Sequence, residues 1–386
     1  MNRRNFIRVA GGGMILAATA AGAGCSAQLP EGAVAAWQGP GDEPDLRRWA
    51  VAWALLAPHS HNLQSWVIGL DTPGEIVLRC DRARLLPETD PFSRQIMMSH
   101  GTFLELLDIA VRERGHRSEI ALFPQGEFAA ERIDDRPVAR IRLVPDAGVA
   151  RDPLFSQIPR RRTNRNAYDP GRPVPATAWE AMQAAAAPQP LRFGYAGLDR
   201  PQALARHRAI AAEAWRTELV TPRTIMESLN VLRVGAAEIE QYRDGLAVLD
   251  TATVLLVRLG LFDRSKVPAP DDLAISSQID DFNDKLDSTP AFLWMTTQGN
   301  DRHTQVNAGR AYARIQLAAT AHDVVMHPLS QALQEYPEQA QPYADIHRLL
   351  KAPPPSYTVQ MWARVGFAAP VEPAPRRGLS RQLAGR

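Results

Sequence analysis

The chain has 386 residues, with 44 Lys and Arg against 42 Asp and Glu and only two cysteines. A formal net charge of +2 provides no basic footprint for nucleic acid, so we expect a small-molecule partner. Two cysteines exclude a disulfide framework, and the length exceeds that of one ordinary hydrophobic core, which predicts two lobes.

The N-terminus resembles a twin-arginine export signal. Arg3 and Arg4 precede an apolar run, rich in Gly and Ala, over residues 9–24. The alternative is a retained membrane anchor, but the run is only marginally long enough to span a bilayer. We therefore predict a signal peptide over residues 1–25, with a lipobox-like site at Cys25. The expected partner is the twin-arginine export machinery, and the expected location is the periplasm or cell envelope, with membrane contact only through a lipid at Cys25.

Hydrophobic periodicity predicts alternating helices and strands and thus an α+β chain. Predicted helices cover residues 45–57, 94–114, 177–187, 200–219 and 305–324, with a further helix ending at Leu261. Predicted strands cover residues 65–70 and 75–80 as a hairpin, then 120–123, 138–144, 191–195, 291–297 and 357–367.

A polar loop between the first predicted helix and the first strand is the leading candidate site. Its sequence from Ala57 to Trp66 is Ala-Pro-His-Ser-His-Asn-Leu-Gln-Ser-Trp. The amides of Asn62 and Gln64 each carry a donor and an acceptor, so they can read the edge of a flat heterocycle. Ser60 and His61 stand beside them. The alternative is a plain turn whose Asn and Ser side chains satisfy their own backbone.

A second candidate segment is rich in arginine. Arg161, Arg162, Thr163 and Arg165 provide planar guanidinium groups and a hydroxyl, the donors that match a phosphate monoester. The competing interpretation is a solvated basic patch. Two further basic residues, Arg376 and Arg377, follow a Pro-rich tail and either join these groups or form a disordered tail.

These segments resemble the nitroreductase family of FMN-binding oxidoreductases. The loop resembles that family's Ala-Pro-Ser-x-x-Asn-x-Gln-Pro-Trp signature, with Ser65 replacing the usual proline, and the arginines resemble its Arg-Arg-Ser-x-Arg motif. The resemblance implies FMN as cofactor, no metal, and no catalytic side chain, because the flavin carries the chemistry. It also implies that the backbone at His327 and Pro328 approaches the ring. The implied cofactor-binding residues are Ser60, His61, Asn62, Gln64, Arg161, Arg162, Thr163, Arg165, His327, Pro328, Arg376 and Arg377.

The two motifs occur in the reverse of that family's order. This arrangement resembles the Acg-like subgroup, in which two degenerate units are fused in one chain. A weak internal match between residues 101–110 and 309–318 supports a fusion. We expect a nitroreductase-like in-chain pseudo-dimer, with a first lobe at 44–150, a second at 155–377, and one flavin site in a monomer. Residues 221–288 either form a lid over the flavin or a plain helical excursion.

The implied activity is electron transfer from NAD(P)H or another donor, through flavin, to an electron-poor acceptor such as a nitroaromatic or a quinone. NAD(P)H is scarce outside the cytoplasm, which favours an alternative function. That alternative is an exported protein that binds or sequesters FMN without turnover.

Overall fold

The computed structural model describes residues 28–384 of the chain. The predicted signal peptide, including Cys25, lies outside these residues. Cys80, the other cysteine, is a buried free thiol in the described part.

The first half of the chain builds a four-stranded antiparallel sheet in the order β1-β2-β4-β3. Its elements are helix α1 (Glu31–Val34), α2 (Leu46–Ala54), β1 (Trp66–Gly69), β2 (Glu75–Cys80), α3 (Arg94–Glu113), β3 (His116–Leu122) and β4 (Ala139–Pro145). Helix α2 begins where the Asp45 carboxylate accepts a hydrogen bond from the Arg47 backbone N–H, an N-cap. The predicted hairpin is confirmed, with Trp66 opposite Cys80.

The second half begins with α4 (Ala176–Ala186), β5 (Arg192–Ala196) and α5 (Pro201–Val220). The segment 221–288 then folds as α6 (Pro222–Asn230), β6 (Leu232–Val234), α7 (Gly235–Tyr242), β7 (Leu246–Val248), α8 (Thr251–Arg258) and α9 (Leu273–Asp287). The prediction of a helix reaching Leu261 is wrong at its end, because Gly260 adopts a left-handed φ of +67° and stops α8. The parallel pair β6 and β7 went unpredicted, since strands of three residues carry too little periodicity.

The chain then completes a second four-stranded antiparallel sheet, in the order β5-β8-β10-β9. The remaining elements are β8 (Ala291–Gln298), α10 (Arg302–Ala321), β9 (Val325–Pro328), α11 (Ala340–Leu349) and β10 (Tyr357–Gly366). Strand β8 pairs on both edges and is almost entirely buried, as its continuous apolar run predicts.

Helices α3 and α10, one from each half, cross at two glycines. A Cβ atom at Gly101 would lie 1.9 Å from the Val306 carbonyl oxygen, and one at Gly309 would lie 1.9 Å from the Met98 carbonyl oxygen. Only residues without a side chain allow this approach. These glycines open the two segments of the weak internal match, so the matched positions face each other across the seam of the molecule.

The hydrophobic core is divided between the two halves of the chain. One cluster joins α2, α3 and the first sheet to Val306 and Leu317 of α10, and two further clusters lie on the two faces of the second sheet. Within residues 28–384, no helix has both the length and the apolar character needed to cross a bilayer.

Candidate functional site

The loop between α2 and β1 has an unusual backbone. His61, Asn62 and Gln64 adopt left-handed φ angles of 49°, 56° and 54°, although none is glycine. Each such residue costs on the order of 1 kcal/mol or more, and positions of this kind concentrate at functional sites.

A cavity opens where this loop meets the second half of the chain. It has a volume of about 190 Å³, larger than the roughly 150 Å³ cavity that accommodates benzene. Six of the predicted site residues line it, namely Ser60, His61, Thr163, Arg165, His327 and Pro328. The cavity therefore takes its lining from both halves, as the motifs predict if the two segments meet.

The arginine segment reaches the cavity by pairing with the second sheet. Thr163 forms a parallel β-bridge with Met326 of β9, and the Asn164 N–H donates to the Met326 carbonyl at 3.1 Å. This pairing places Thr163 and Arg165 beside His327 and Pro328. Residues about 160 positions apart thus form one wall.

The Arg165 guanidinium is an uncompensated cation in this wall. Burial lowers its pKa, Tyr312 and Tyr168 oppose that effect, and Arg364 adds to it; no carboxylate among the described residues acts on it. The pKa of His61 falls to about 4, mainly through burial and partly through the charge of Arg165. His61 is therefore neutral at physiological pH, and an anionic or electron-rich ligand would satisfy Arg165.

His327 is also neutral, because its imidazole serves as an acceptor. The Arg364 Nε donates to His327 Nδ1 at 3.1 Å, and burial together with the charges of Arg364 and Arg165 holds the His327 pKa well below its usual range. Arg364 in turn donates to the carbonyls of Lys285 and Asn166. The Nδ1 atom of His327 is therefore used by Arg364. A ligand at this position can contact only the backbone or the other edge of the imidazole ring.

Tyr312 of α10 connects the cavity to the remaining arginines. Its side chain is 3% exposed and lines the cavity, yet its hydroxyl has no hydrogen-bond partner among the described residues. Burial raises the Tyr312 pKa, and the charges of Arg161 and Arg165 oppose that rise. A buried hydroxyl between two cations is a ready donor or acceptor for a ligand.

Three of the other four predicted arginines surround one indole outside the cavity lining. The guanidinium carbons of Arg161, Arg162 and Arg376 lie 5.6, 4.3 and 5.3 Å from the ring centroid of Trp37. We call Trp37 with these three residues the arginine cluster. The pKa of Arg376 is well below its usual range because of burial and the charges of Arg161 and Arg162.

The cluster has unsatisfied donors despite its contacts with backbone carbonyls. Arg161 donates to the Leu56 carbonyl at 3.0 Å and Arg376 to the Ala57 carbonyl at 3.1 Å, but the Nε of each has no partner among the described residues. Arg161 and Arg376 are buried, and Glu372 acts only on the half-buried Arg162, so the cluster keeps an excess of positive charge that favours an anion.

Asn62 and Gln64 point away from the cavity. The Asn62 amide donates to the carbonyls of Gly245 and Pro375, and the Gln64 amide donates to the Arg243 carbonyl at 2.9 Å. Asn62 Oδ1 accepts from the Arg376 guanidinium, and Gln64 Oε1 accepts from the Arg377 N–H at 2.8 Å. The two amides therefore bind the C-terminal tail and the segment 221–288. Arg376 and Arg377 of the tail donate hydrogen bonds to the loop.

The segment 221–288, which we call the covering segment, contributes to the lining of the cavity. Four of its side chains line the cavity, those of Ile225, Ser228, Leu246 and Phe282. Asp244 is 1% exposed and forms ion pairs with Arg84 of the first half and with Arg233. We call Asp244, Arg84 and Arg233 the latch, because they join the covering segment to the first half beside the amide loop.

Comparison with known proteins identifies the family. No family model matches the sequence. The chain is 30% identical over 344 residues to a curated protein of Mycobacterium tuberculosis named "Putative NAD(P)H nitroreductase", in strain H37Rv and equally in strain CDC 1551, covering 86% of this chain and 89% of the relative. The chain belongs to the nitroreductase family. Its α+β architecture is the fold that the sequence motifs predict for a nitroreductase.

Several solved structures are similar at lower identity. The FMN-dependent nitroreductase NfnB of Mycobacterium smegmatis, solved in complex with NADPH, is 19% identical, with 60% of this chain and 95% of that chain covered and a TM-score of 0.35. A nitroreductase with bound FMN from Bacteroides fragilis is 13% identical, with 59% and 97% covered and a TM-score of 0.33. Iodotyrosine deiodinase bound to FMN and 3-iodo-L-tyrosine is 12% identical, with 58% and 95% covered and a TM-score of 0.34.

Three residues of this nitroreductase site were missed by sequence analysis. Trp37 lies in a short segment rich in Ala and Gly. A single aromatic residue in such a segment is a sequence feature that could have identified it. Tyr312 carries the one phenol in the buried face of α10. Glu218 of α5 lines the cavity, but a glutamate in an amphipathic helix looks like any solvated side chain until its burial is known.

Proposed function

We propose that this nitroreductase-family protein is an FMN-dependent oxidoreductase that passes electrons from NAD(P)H or another donor to an electron-poor acceptor, such as a nitroaromatic or a quinone. The observation that carries the proposal is the uncompensated Arg165 guanidinium beside the unpartnered Tyr312 hydroxyl in a cavity between the two halves. The relatives are named for NAD(P)H, and similar solved chains bind FMN.

The donors of the arginine cluster suit a flavin phosphate. Buried Nε groups of Arg161 and Arg376 lack partners among the described residues, and the three guanidinium groups of the arginine cluster outnumber Glu372, the carboxylate that acts on Arg162. Pockets for ligands of this size are usually about 300–1,000 Å³, more than the enclosed cavity. The cavity residues would therefore hold the ring, and the arginine cluster would hold the phosphate.

Each residue has a separate task in this arrangement. When bound, FMN supplies the capacity to accept and pass on two electrons. Arg165 would offer positive charge to an electron-rich group bound in the cavity, because a partly buried cation acts strongly at short range. Neutral His61 adds no charge that would oppose binding. Arg161, Arg162 and Arg376 hold the phosphate, while Asn62 and Gln64 position the tail and the covering segment.

Storage of FMN without turnover is the second candidate, and the latch favours it. Asp244 and its two arginines fasten residues 221–288 over the cavity, so a bound flavin would be shielded from electron donors. Anaerobic addition of NADH or NADPH separates the two functions. Loss of the flavin colour, followed by its return with a nitroaromatic or quinone, supports the oxidoreductase; a flavin that stays oxidised supports storage.

The test of the flavin site is the absorbance spectrum of the purified full-length protein, with the released flavin identified. The paired substitution Arg161→Ala and Arg165→Ala is expected to abolish flavin retention while the circular dichroism spectrum stays unchanged. The matched control is Arg160→Ala, since Arg160 is exposed and bonds only to Gln157 and Asp323. Colourless wild-type protein that FMN does not stabilise against heat, or a double variant with full flavin content, refutes the proposal.

Two further proposals concern organisation and export. The two antiparallel four-stranded sheets and the reciprocal glycine contact of α3 and α10 support a fusion of two degenerate units, as in the Acg-like subgroup. Export by the twin-arginine route rests on the sequence of residues 1–25, and its test is the mature N-terminus of protein recovered from the cell envelope.

A further inference from the structure

The covering segment carries most of the exposed apolar side chains of the described residues. Within residues 28–384, nine large hydrophobic side chains are exposed, and six of them belong to this segment. Leu255, Leu259 and Leu261 have 53, 61 and 71% of their surface exposed. We call these three residues the leucine patch. Because folded proteins rarely leave apolar side chains grouped at the surface, the patch indicates a contact with another molecule or with a lipid.

Helix α8 is apolar on both of its faces. Val254 and Val257 turn inward and pack against the core of the second half. The leucine patch lies on the opposite side, where its first two members are one helical turn apart. A helix at a protein surface normally has a polar outer face. Since α8 has a single charged residue, Arg258, its outer face suits an apolar environment better than water.

The N-terminal end of the described chain lies beside the same part of the covering segment. Gly32 of α1 lies against Arg243 at the end of α7, and Gly235 at the start of α7 lies against Val254 of α8. Helix α7 has eight residues and is therefore about 12 Å long, which bridges α1 and α8. Cys25 precedes α1 by six positions, which an extended chain covers in about 20 Å. A lipid at Cys25, or a retained anchor, would therefore attach a membrane within reach of the leucine patch.

We infer that the leucine patch inserts into the surface of a lipid bilayer and holds the covering segment against it. With eight residues, α8 is too short to span a bilayer and lies in the interface instead. The patch adds a second membrane contact to the attachment that residues 1–25 predict. The inference does not rest on flavin binding, so the two can fail separately.

Charge and composition favour a lipid over a protein partner. Residues 250–273 contain three basic and four acidic side chains, so the segment matches neither a strongly acidic nor a strongly basic partner. Protein interfaces are enriched in aromatic residues and methionine, and leucine is under-represented at the positions that dominate their binding energy. Leucine is instead among the side chains that enter the acyl region most favourably. The long stem of Arg258 lets its guanidinium group reach the lipid head groups.

The test attaches a bimane fluorophore to the full-length chain at position 259, as Leu259→Cys in a Cys25→Ser background. The remaining thiol, Cys80, is buried, and burial raises its pKa to about 12, so it resists the label. Phosphatidylcholine vesicles with a nitroxide on their acyl chains should quench the bimane, and high salt should not reverse the quenching. The matched control, Leu198→Cys, places the same label on an exposed leucine outside the covering segment and should not be quenched.

Serine substitutions separate insertion from mere proximity to the membrane. Leu255→Ser with Leu261→Ser should lower the affinity of the labelled site for the vesicles at least about tenfold, because the bilayer then buries less apolar surface. Both side chains are exposed, so the circular dichroism spectrum should not change. Quenching at position 259 that only matches the Leu198→Cys control, or that survives both serine substitutions, overturns the inference. A lipid-free dimer that these substitutions dissociate also overturns it, since a second copy would then cover the patch.

Discussion

Removing the carboxylate of Asp244 should release the covering segment from the first half of the molecule. Asp244 is buried and forms ion pairs with Arg84 and, at 3.0 Å, with Arg233. The adjacent Gly245 N–H donates to the Asn62 carbonyl at 3.2 Å. Asp244→Ala therefore removes the charged anchor beside Gly245, while Glu227 of the same segment still accepts hydrogen bonds from Thr89.

The expected size of the effect follows from these contacts. Hydrogen bonds to charged groups contribute about 1.5–3 kcal/mol each when their partner is left buried. The side chains of Arg84 and Arg233 retain exposures of 25% and 15%, so water recovers part of that loss. We expect the closed form to lose about 2–3 kcal/mol, which raises the opening equilibrium about 30- to 200-fold.

Hydrogen exchange measures this opening directly. The Gly245 amide, which bonds to the Asn62 carbonyl of the first half, should exchange about 30- to 200-fold faster in Asp244→Ala. Asp263→Ala is the matched control, since Asp263 lies in the same segment but only contacts its neighbours Ser265 and Lys266.

Two results would contradict the role of the latch in holding the segment against the first half. Unchanged exchange at Gly245 would mean that the ion pairs do not hold the segment. Equal acceleration in β2 and β4 would mean that Asp244 supports global stability instead of local closure. Flavin release, if the cofactor is present, should accelerate in parallel with the local exchange.

The remaining predictions address the seam, the arginine cluster and a buried histidine. Gly101→Ala should lower the free energy of unfolding by about 2 kcal/mol or more in urea titrations, because the backbone oxygen of Val306 cannot yield, whereas Gly378→Ala, with open space around it, should not. Trp37→Ala should speed dissociation of bound flavin about tenfold in a fluorescence dilution assay, since the indole holds three guanidinium groups; an unchanged rate would contradict this role. Burial lowers the His100 pKa to about 4, so the unfolded chain binds the extra proton and stability falls as pH drops from 6.5 towards 4. His100→Gln should reduce that slope by up to about 1.4 kcal/mol per pH unit, and an identical slope would count against a neutral buried imidazole.

Local sequence predicted most of the framework. The alternation in residues 75–80 and the uninterrupted apolar run in β8 each appear as predicted, because burial on one or both faces imposes those patterns. The observed ends of the helices differ by a few residues from the predicted ends where a cap or a left-handed glycine stops the helix, as at Gly260. The two β-strands of the covering segment, β6 and β7, have no local signature, since strands of three residues are too short to show a periodic pattern.

The candidate site could likewise be predicted from the sequence only in part. The motifs identified Ser60, His61, Thr163 and Arg165, which the structure brings to one cavity. They could not indicate that Asn62 and Gln64 turn towards the tail, because left-handed backbone angles in non-glycine residues are set by tertiary contacts. Burial against distant elements likewise raises the Glu218 pKa to about 7, so its chemistry exists only after folding.

The cavity draws both walls from a single polypeptide, with α3 and α10 locked together at their glycines. A pocket shared between separate subunits comes apart when the protein is diluted, whereas covalent connection keeps the two walls at a high effective concentration. Occupancy of this pocket should therefore be insensitive to how much protein is present. A chain released at nanomolar amounts into a dilute compartment would keep a complete binding site.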